Sequence, residues 1–310
     1  MVYKTHFEYS TDIAQNIYSY MSTLHTFGCS ITQGFALPDV VKPALDDKGK
    51  PLSNQQIIQQ GIHWTDIHLY QPSQLAWPQQ LGNRLRMPVV NHARRGACFQ
   101  QIARQCTLAM DTIKPEDVVI VMWTYMSRLS LQWPARTSVP FCNVVDPSWG
   151  WRTVIKGMND LFGLSPTSNS TSTHEQQFQN YIEKATKHTY LDPMGVYNRY
   201  YNNMVLAQLC DSSLRGTGAP VIHLSVEPES HQRQLEEARD DLHFSMKKDY
   251  TAIPNPKEWY KLKVDHAVCD VILDPSIPPA ENDMHPSEQH HFNFAEHIHS
   301  KYFKNFDQNL

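Results

Sequence analysis

Ser30 is the first residue whose type and setting could do chemistry. It follows Gly28 and Cys29 at the end of an apolar run that begins near Leu24. A serine exposed on the turn after a strand can act as a nucleophile once a general base takes its proton. Since a serine after a glycine also commonly caps a helix, this segment indicates a nucleophile only in combination with a base.

Asp283 and His285 form the second candidate group, shortly before the last helical stretch of the chain. A carboxylate can orient a nearby imidazole through one ring nitrogen and leave the other nitrogen ready to accept a proton. The ordinary role of a histidine is capping or surface exposure, and the chain holds 16 histidines. The pair therefore indicates a general base and its orienting acid only if a nucleophile lies beside it.

The third candidate segment runs from Asn91 to Gly96, after a second apolar run. At the start of a helix, a glycine allows a backbone N–H to approach a ligand closely. Ligands of open parallel sheets bind where the strands end. The three segments together place a hydroxyl, a backbone donor and an Asp-x-His pair at successive positions along one predicted sheet edge.

An alternation of strands and helices must position these segments, and the apolar pattern indicates one. The predicted strands are 22–27, 87–91, 117–123, 220–226 and 267–273. The predicted helices are 73–85, 97–110, 196–213 and 287–303. This order predicts an α/β fold, a three-layer α/β/α arrangement around a central parallel sheet of about five strands.

We expect a single domain over residues 1–310, with insertions at about 35–72 and 132–193. Both insertions have loop composition, and long loops over a rigid sheet commonly carry specificity. Their aromatic side chains could form a rim that stacks on sugars or contacts lipid, although packing is the commoner role of tryptophan. These aromatic residues are Trp64, Tyr70, Trp133, Trp149 and Trp151.

Composition argues against several classes of protein. A formal net charge of -4, with 27 dispersed Lys and Arg residues, gives no electrostatic footprint for nucleic acid. The sequence has no apolar run of about 18 residues and no signal peptide, so we expect no membrane span and a cytoplasmic or virion-associated location. The 6 cysteines lack a CxxC pair, as is typical of reduced, buried thiols. We expect no cofactor and no metal. The sequence does not indicate the oligomeric state.

The chain resembles the SGNH or GDSL hydrolases, a superfamily of serine esterases, over nearly its whole length outside the insertions. Residues 28–32 are similar to the first conserved block of that family. Residues 77–82 and then 91–96 are similar to its second block, and residues 283–287 with His290 are similar to its last block.

The resemblance implies a flavodoxin-like α/β fold and hydrolysis of a carboxylic ester through an acyl-enzyme. It implies that Ser30 is the nucleophile, His285 the base and Asp283 the acid that holds the imidazole. It further implies an oxyanion hole that contains the amides of Ser30 and Gly96. The expected partner is a small-molecule ester, or an acyl or acetyl ester on a glycan.

The chain departs from the family after the third predicted strand, where the family has an Asn that donates to the oxyanion. Thr124 stands near this place and is expected to donate the third hydrogen bond, with Arg128 in reserve. Trp123 and Arg128 are expected to contact the substrate. Cys29 replaces the family's Asp before the nucleophile, and Asp283 lies one residue later than the family's spacing of acid and base.

Three other hypotheses stay open. An SGNH-like scaffold could be a non-catalytic structural or glycan-binding protein, for example of a phage particle, because a fold does not guarantee its chemistry. Cys29 could be a thiol nucleophile, although a Ser30 that faces the crevice would leave Cys29 toward the core. A metal-dependent hydrolase would use acidic and histidine side chains crowded in one segment. These are Asp283, His285, His290, His291 and Glu296.

Overall fold

The structure, a computed structural model, describes residues 22–41, 44–50, 52, 56, 60, 71–126, 128–131, 142–144, 193–246, 255–280 and 285–304. Its strands are β1 (Leu24–Phe27), β2 (Val89–Asn91), β3 (Val118–Trp123), β4 (Leu129–Leu131), β5 (Cys142–Val144) and β6 (Val221–Ser225). Its helices are α1 (Ser30–Gln33), α2 (Trp77–Leu85), α3 (Phe99–Ala109), α4 (Pro193–Arg215), α5 (His231–Met246), α6 (Pro256–Trp259), α7 (Cys269–Ile272) and α8 (Glu288–Tyr302), with a 3-10 turn at Met110–Thr112.

Four parallel strands form the central sheet of the described residues, in the order β2-β1-β3-β6. Thr26 on β1 lies opposite Asn91 on β2 and Ile120 on β3. β3 carries only apolar residues and is buried along its whole length, as expected of a central parallel strand. β4 and β5 form a separate antiparallel pair.

Helices cover both faces of this sheet. α2 connects β1 to β2 and α3 connects β2 to β3, so the chain moves in opposite directions along the sheet. Right-handed crossovers then place α2 and α3 on opposite faces. α8 packs on α2, whereas α4 packs on α3 and α5 packs on α4. The predicted α/β fold, with helices on both faces of a parallel sheet, is confirmed.

Aromatic pairs fill the core on each side of the sheet. Trp77 of α2 meets Phe294 of α8 edge-on, with ring centroids 5.3 Å apart. Phe99 of α3 stacks on Trp123 of β3 at 4.9 Å. All four side chains are fully buried. These contacts fix the layers that carry the carboxyl ends of the strands.

The fifth predicted strand, residues 267–273, is wrong. This segment contains α7 instead, because a short apolar run is compatible with a buried helical turn as well as with a strand. Asp265, which precedes it, extends the sheet by a single parallel bridge to β6. Its N–H donates to the carbonyl of His223 (2.9 Å), and its carbonyl accepts from the N–H of Ser225 (3.1 Å).

Most of the two predicted insertions lies outside the described residues. This holds for the aromatic residues expected to form a rim: Trp64, Tyr70, Trp133, Trp149 and Trp151. Among the helices that the structure does describe, none has both the length and the apolar character needed to cross a bilayer.

Candidate active site

Ser30 is the first residue of α1, directly after the turn that ends β1. Gly28 makes this tight junction possible, because a Cβ at that position would lie 2.1 Å from the Thr32 hydroxyl oxygen. The N–H of Gln33 donates to the Cys29 carbonyl at 3.0 Å and closes the turn. The Cys29 thiol is buried in the core. The structure therefore offers no accessible thiol at this position.

His285 lies within hydrogen-bond distance of Ser30, although 255 positions separate them in the chain. Its Nε2 is 3.0 Å from the Ser30 Oγ. Ser30 is 4% exposed, and His285 is half-buried. The carbonyl of His285 accepts the N–H of Ala280 at 2.9 Å, which ties this loop to the residues after α7. The predicted acid, Asp283, lies outside the described residues.

An aromatic side chain covers one side of the imidazole. The Phe35 ring packs on His285 with centroids 4.9 Å apart and planes inclined by 59°. The guanidinium of Arg95 lies over the Phe35 ring at 5.7 Å. Arg95 immediately precedes Gly96, so these contacts bring the turn after β2 to the same place as Ser30 and His285.

Asn91, the last residue of β2, connects that turn to the helix that carries Ser30. Its side-chain Nδ2 donates to the carbonyl of Thr32 at 2.8 Å. Its Oδ1 accepts the N–H of Ala93 at 3.0 Å, an Asx turn. The N–H of Arg94 also donates to the Gly28 carbonyl at 3.2 Å. The β1 and β2 turns are thus held together by two direct hydrogen bonds.

Gly96 has the conformation expected of a glycine that presents its backbone. Its φ is 67°, in the left-handed region where a side chain would strain the chain. The N–H of Ala97 donates to the Arg94 carbonyl at 3.2 Å and closes the turn. The predicted glycine of the oxyanion hole therefore lies in a turn bonded directly to the Gly28 end of the Ser30 junction.

Arg128 joins the loop after β3 to the Gly96 turn. One of its guanidinium nitrogens donates to the Ala97 carbonyl at 3.4 Å, and the guanidinium carbon lies 5.3 Å from the centre of the Tyr125 ring. Burial raises the pKa of Tyr125 to about 12, and the charge of Arg128 opposes this shift. The Tyr125 phenol therefore keeps its proton at neutral pH.

Thr124 directly follows β3 and is fully buried. Its hydroxyl oxygen is one of the buried side-chain atoms without a hydrogen-bond partner among the described residues. A buried hydroxyl that lacks a partner is costly, on the order of 1–3 kcal/mol. The Thr124 hydroxyl, which is predicted to donate the third hydrogen bond to the oxyanion, thus has no partner among the described residues.

Trp123, which was expected to line the substrate pocket, lies in the core instead. Its side chain is fully buried, stacks on Phe99 and donates from Nε1 to His223 Nδ1 at 3.0 Å. Since His223 Nε2 lies 2.9 Å from an oxygen of Asp211, the imidazole is held between an indole donor and a carboxylate. Because the Trp123 indole is held by these core contacts, it is not part of the proposed site.

Three of the candidate metal ligands near the end of the chain make structural contacts instead. His290 completes a capping box with Ser287 at the start of α8. His291 is fully buried, and its Nδ1 accepts the N–H of Trp77 at 3.1 Å, so it caps α2 from the neighbouring helix. Burial lowers the pKa of His291 to about 3. Glu296 pairs with Arg84. Across the described residues, no three such side chains are grouped to hold a metal ion.

Several of these contacts escaped the sequence interpretation. Asn91 carried a usable signal, since an Asn at a strand end commonly bonds the N–H two residues later. No sequence signal indicated the packing of Phe35 on His285 or the cap formed by His291, because both contacts join segments that are distant in the chain. Long-range pairs of this kind become visible only in the folded chain.

Comparison with known proteins gives distant likenesses only. No family model matches the chain, and no curated protein matches its sequence. An acetyl xylan esterase from the rumen bacterium Butyrivibrio proteoclasticus has a similar structure, with a TM-score of 0.40 and 10% identity, over 94% of this chain and 65% of that chain. A carbohydrate esterase whose active site displays divergent catalytic and non-catalytic binding functions has a TM-score of 0.34 and 9% identity, over 93% of this chain and 67% of that one.

Proposed function

We propose that this chain is an ester hydrolase of the SGNH type that works through a serine acyl-enzyme. The observation that carries the proposal is the 3.0 Å approach of His285 Nε2 to Ser30 Oγ, at the carboxyl edge of a parallel sheet. A hydroxyl and an imidazole at this distance can act as a nucleophile and its general base where a substrate can reach them, and His285 is only half-buried. Such a pair supports acyl transfer in particular because a turn with a left-handed glycine is bonded to the same junction.

In acylation, the Ser30 oxygen attacks the ester carbonyl carbon while His285 Nε2 takes the hydroxyl proton. The carbonyl oxygen becomes an oxyanion, and when its double bond reforms, the bond to the alcohol oxygen breaks. His285 returns the proton to that leaving oxygen. Water then repeats the sequence on the acyl-enzyme and releases the carboxylic acid and Ser30. His285 must carry its own hydrogen on Nδ1, and we assign the Asp283 carboxylate as the acceptor of the hydrogen bond that this N–H donates.

Three donors are assigned to the developing oxyanion. Two are the amide N–H groups of Ser30 and Gly96. The third is the hydroxyl of Thr124, because a buried hydroxyl without a partner gains a bond when negative charge develops beside it. Arg128, which already holds the Gly96 turn through Ala97, is the reserve source of positive charge.

A panel of aryl esters with acyl chains of graded length, assayed beside acetylated polysaccharides, tests the proposal. We expect hydrolysis of at least one short acyl ester, unchanged after dialysis against a chelator. Loss of activity on chelation would instead favour the metal-dependent alternative. Absence of hydrolysis together with binding of the polysaccharide would favour a non-catalytic glycan-binding protein.

A further inference from the structure

An open pocket of about 350 Å³ lies beside β2, at the edge of the central sheet. Its size is that of an ordinary small-ligand site, which is commonly about 300–1,000 Å³. One wall is the segment before α2 together with Gln79 of α2, and the other is β2 itself. The polar residues that line it are Gln71, Ser73, Gln74, Gln79 and Asn91.

Both walls of this pocket are hydrogen-bonded to α1, the helix that begins with Ser30. The N–H of Ser73 donates to the carbonyl of Gln33 at 2.9 Å. On the opposite wall, Asn91 Nδ2 donates to the carbonyl of Thr32 at 2.8 Å. Because α1 spans only four residues, with a rise of about 1.5 Å per residue, the residues whose carbonyls hold the two walls lie within about 5 Å of Ser30 along the helix axis.

The wall before α2 is held rigidly. Asp39 accepts the hydroxyl of Ser73 and the N–H of Gln74, both at 2.6 Å. The Ser73 oxygen accepts the N–H of Leu75 in turn, at 2.9 Å. A ligand that enters the pocket therefore meets a preformed surface, which lowers the cost of ordering the site on binding.

The main chain of β2 adds hydrogen-bonding groups to the other wall. Pro88 accepts from Leu24 and His92 donates to Thr26, both at 2.8 Å, so these residues face β1. In a parallel ladder the alternate residues point the other way, which directs the N–H and C=O groups of Val89 outward. The main chain of Asn91 points outward for the same reason.

The lining chemistry is uncharged. Of the described residues that line the pocket, none carries a formal charge, and amide side chains alternate with small apolar surfaces of a proline and two valines. Gln79 donates to Asn83 at 2.9 Å, which leaves its side-chain oxygen as an acceptor. Amides and backbone groups over an apolar floor satisfy the many donors and acceptors of a sugar ring, and they supply no charge that would pair with an ionised ligand.

We infer that this pocket binds a neutral sugar unit of the ester substrate, next to the acylated position that Ser30 attacks. The inference rests on the proposed function and specifies its substrate class as an O-acylated neutral glycan. Small aryl esters reach Ser30 without using the pocket. The pocket therefore controls the preference for glycan esters over aryl esters.

Gln79→Leu tests the inference, because it replaces the amide by an apolar side chain that is only one atom shorter. We expect the ratio of kcat/KM for an acetylated neutral oligosaccharide to that for an aryl acetate to fall about 3- to 10-fold, the loss of one or two neutral hydrogen bonds. Gln289→Leu is the matched control, since Gln289 also donates to an Asn four residues later, on the exposed start of α8. The control should leave the ratio unchanged.

Equilibrium binding separates a failure of this inference from a failure of the proposed function. In the Ser30→Ala protein, Gln79→Leu should raise the Kd of an unreacted neutral oligosaccharide by a similar factor. If no ester is hydrolysed but this binding effect persists, the proposed function fails and the pocket assignment stands. An unchanged ratio and an unchanged Kd would overturn the inference, as would tighter binding of an anionic oligosaccharide or of a peptide.

Discussion

Among the described residues, two serine–histidine pairs with almost the same separation lie at the carboxyl ends of strands. Ser30 Oγ lies 3.0 Å from His285 Nε2, after β1. Ser225 Oγ lies 3.2 Å from His231 Nε2, after β6. The distance between the two atoms does not distinguish a candidate nucleophile from a structural hydrogen bond.

The surroundings of the two pairs differ. Ser225 is fully buried, and its oxygen already accepts the N–H of Glu227 at 3.0 Å. His231 lies edge-on to the rings of Phe99 (5.3 Å) and His266 (4.5 Å), and burial holds its pKa well below the usual value. The second pair is therefore enclosed in the core.

The Ser30–His285 pair differs from the Ser225–His231 pair in its exposure and in the turn beside it. His285 is half-buried rather than enclosed, and the turn of Gly96 supplies a left-handed glycine on a neighbouring loop. A reaction needs access for the substrate and donors for the developing charge, in addition to a nucleophile and a base. These two requirements are met beside the Ser30–His285 contact and not beside the Ser225–His231 contact, and they single out Ser30 as the nucleophile.

The largest expected effect is that of Ser30→Ala. Hydrolysis should fall by about 10⁶, because the proposal assigns no other nucleophile. The rate is measured on the best aryl ester, with circular dichroism to show that the variant is folded. A variant that keeps more than about a tenth of the rate would remove Ser30 from the mechanism.

Asp283→Asn should have the next largest effect, of the order of 10⁴ in kcat, since the amide would hold the imidazole in the wrong tautomer. The measurement is kcat on the same ester. Asn282→Ala is the matched control from the adjacent position. Greater damage from the control than from Asp283→Asn would show that the acid is assigned to the wrong residue.

Thr124→Val keeps the branched shape of the side chain and deletes only the hydroxyl. If that hydroxyl binds the oxyanion, kcat should fall about 10²-fold with little change in KM, because the bond strengthens only in the transition state. Steady-state kinetics on the aryl ester measure both constants. A rise in KM alone would place Thr124 on the ground-state substrate and leave Arg128 as the donor to test.

Ser225→Ala removes the serine of the buried pair. We expect unchanged kcat and KM, and a loss of about 1–3 kcal/mol in the free energy of unfolding, because Glu227 and His231 lose a buried partner. Urea unfolding measures the loss. Ser212→Ala, an exposed helix serine, should change stability by less than about 0.5 kcal/mol. A large loss of activity in folded Ser225→Ala protein would contradict the division into a working pair and a structural pair.

The smallest expected effect near neutral pH is that of His291→Asn on the free energy of unfolding. The pKa of His291 is about 3 in the folded chain, against about 6.5 for an unperturbed histidine. Between these two pH values this residue is therefore protonated in the unfolded chain and neutral in the folded chain. The stabilising contribution is complete above about pH 6.5 and is lost as the pH falls toward 3. Urea unfolding at several pH values should therefore give a shallower pH dependence for His291→Asn than for the parent chain. Equal slopes would contradict the assignment of His291 as a neutral cap on α2.

The sequence predicted the parallel sheet and the places of Ser30 and Gly96 on it, because both depend on local rules. Gly28 is needed where α1 turns tightly off β1, and Gly96 is needed for a left-handed turn. These requirements are visible as residue types directly after apolar runs. The same reasoning placed His285 just before the last helix, but its contact with Ser30 needed the folded chain.

The sequence could not predict which apolar residues face a ligand. Every residue of β3 is apolar, so no alternation tells which side Trp123 faces, and it packs in the core. The apolar run at 267–273 gave no length or period that separates a strand from the helical turn of α7. The Ser225–His231 pair was missed because burial and long-range enclosure, which define its role, leave no local pattern.

Reaction with a fluorophosphonate probe, followed by peptide mass spectrometry, shows directly which serine is the nucleophile. A serine that a neighbouring base activates attacks the phosphorus and keeps a covalent phosphonyl group, so the adduct identifies the nucleophile itself. We predict one adduct on the peptide that contains Ser30, absent from Ser30→Ala, and none on the peptide that contains Ser225. An unlabelled chain that still hydrolyses esters, or an adduct on any other residue, would contradict the account.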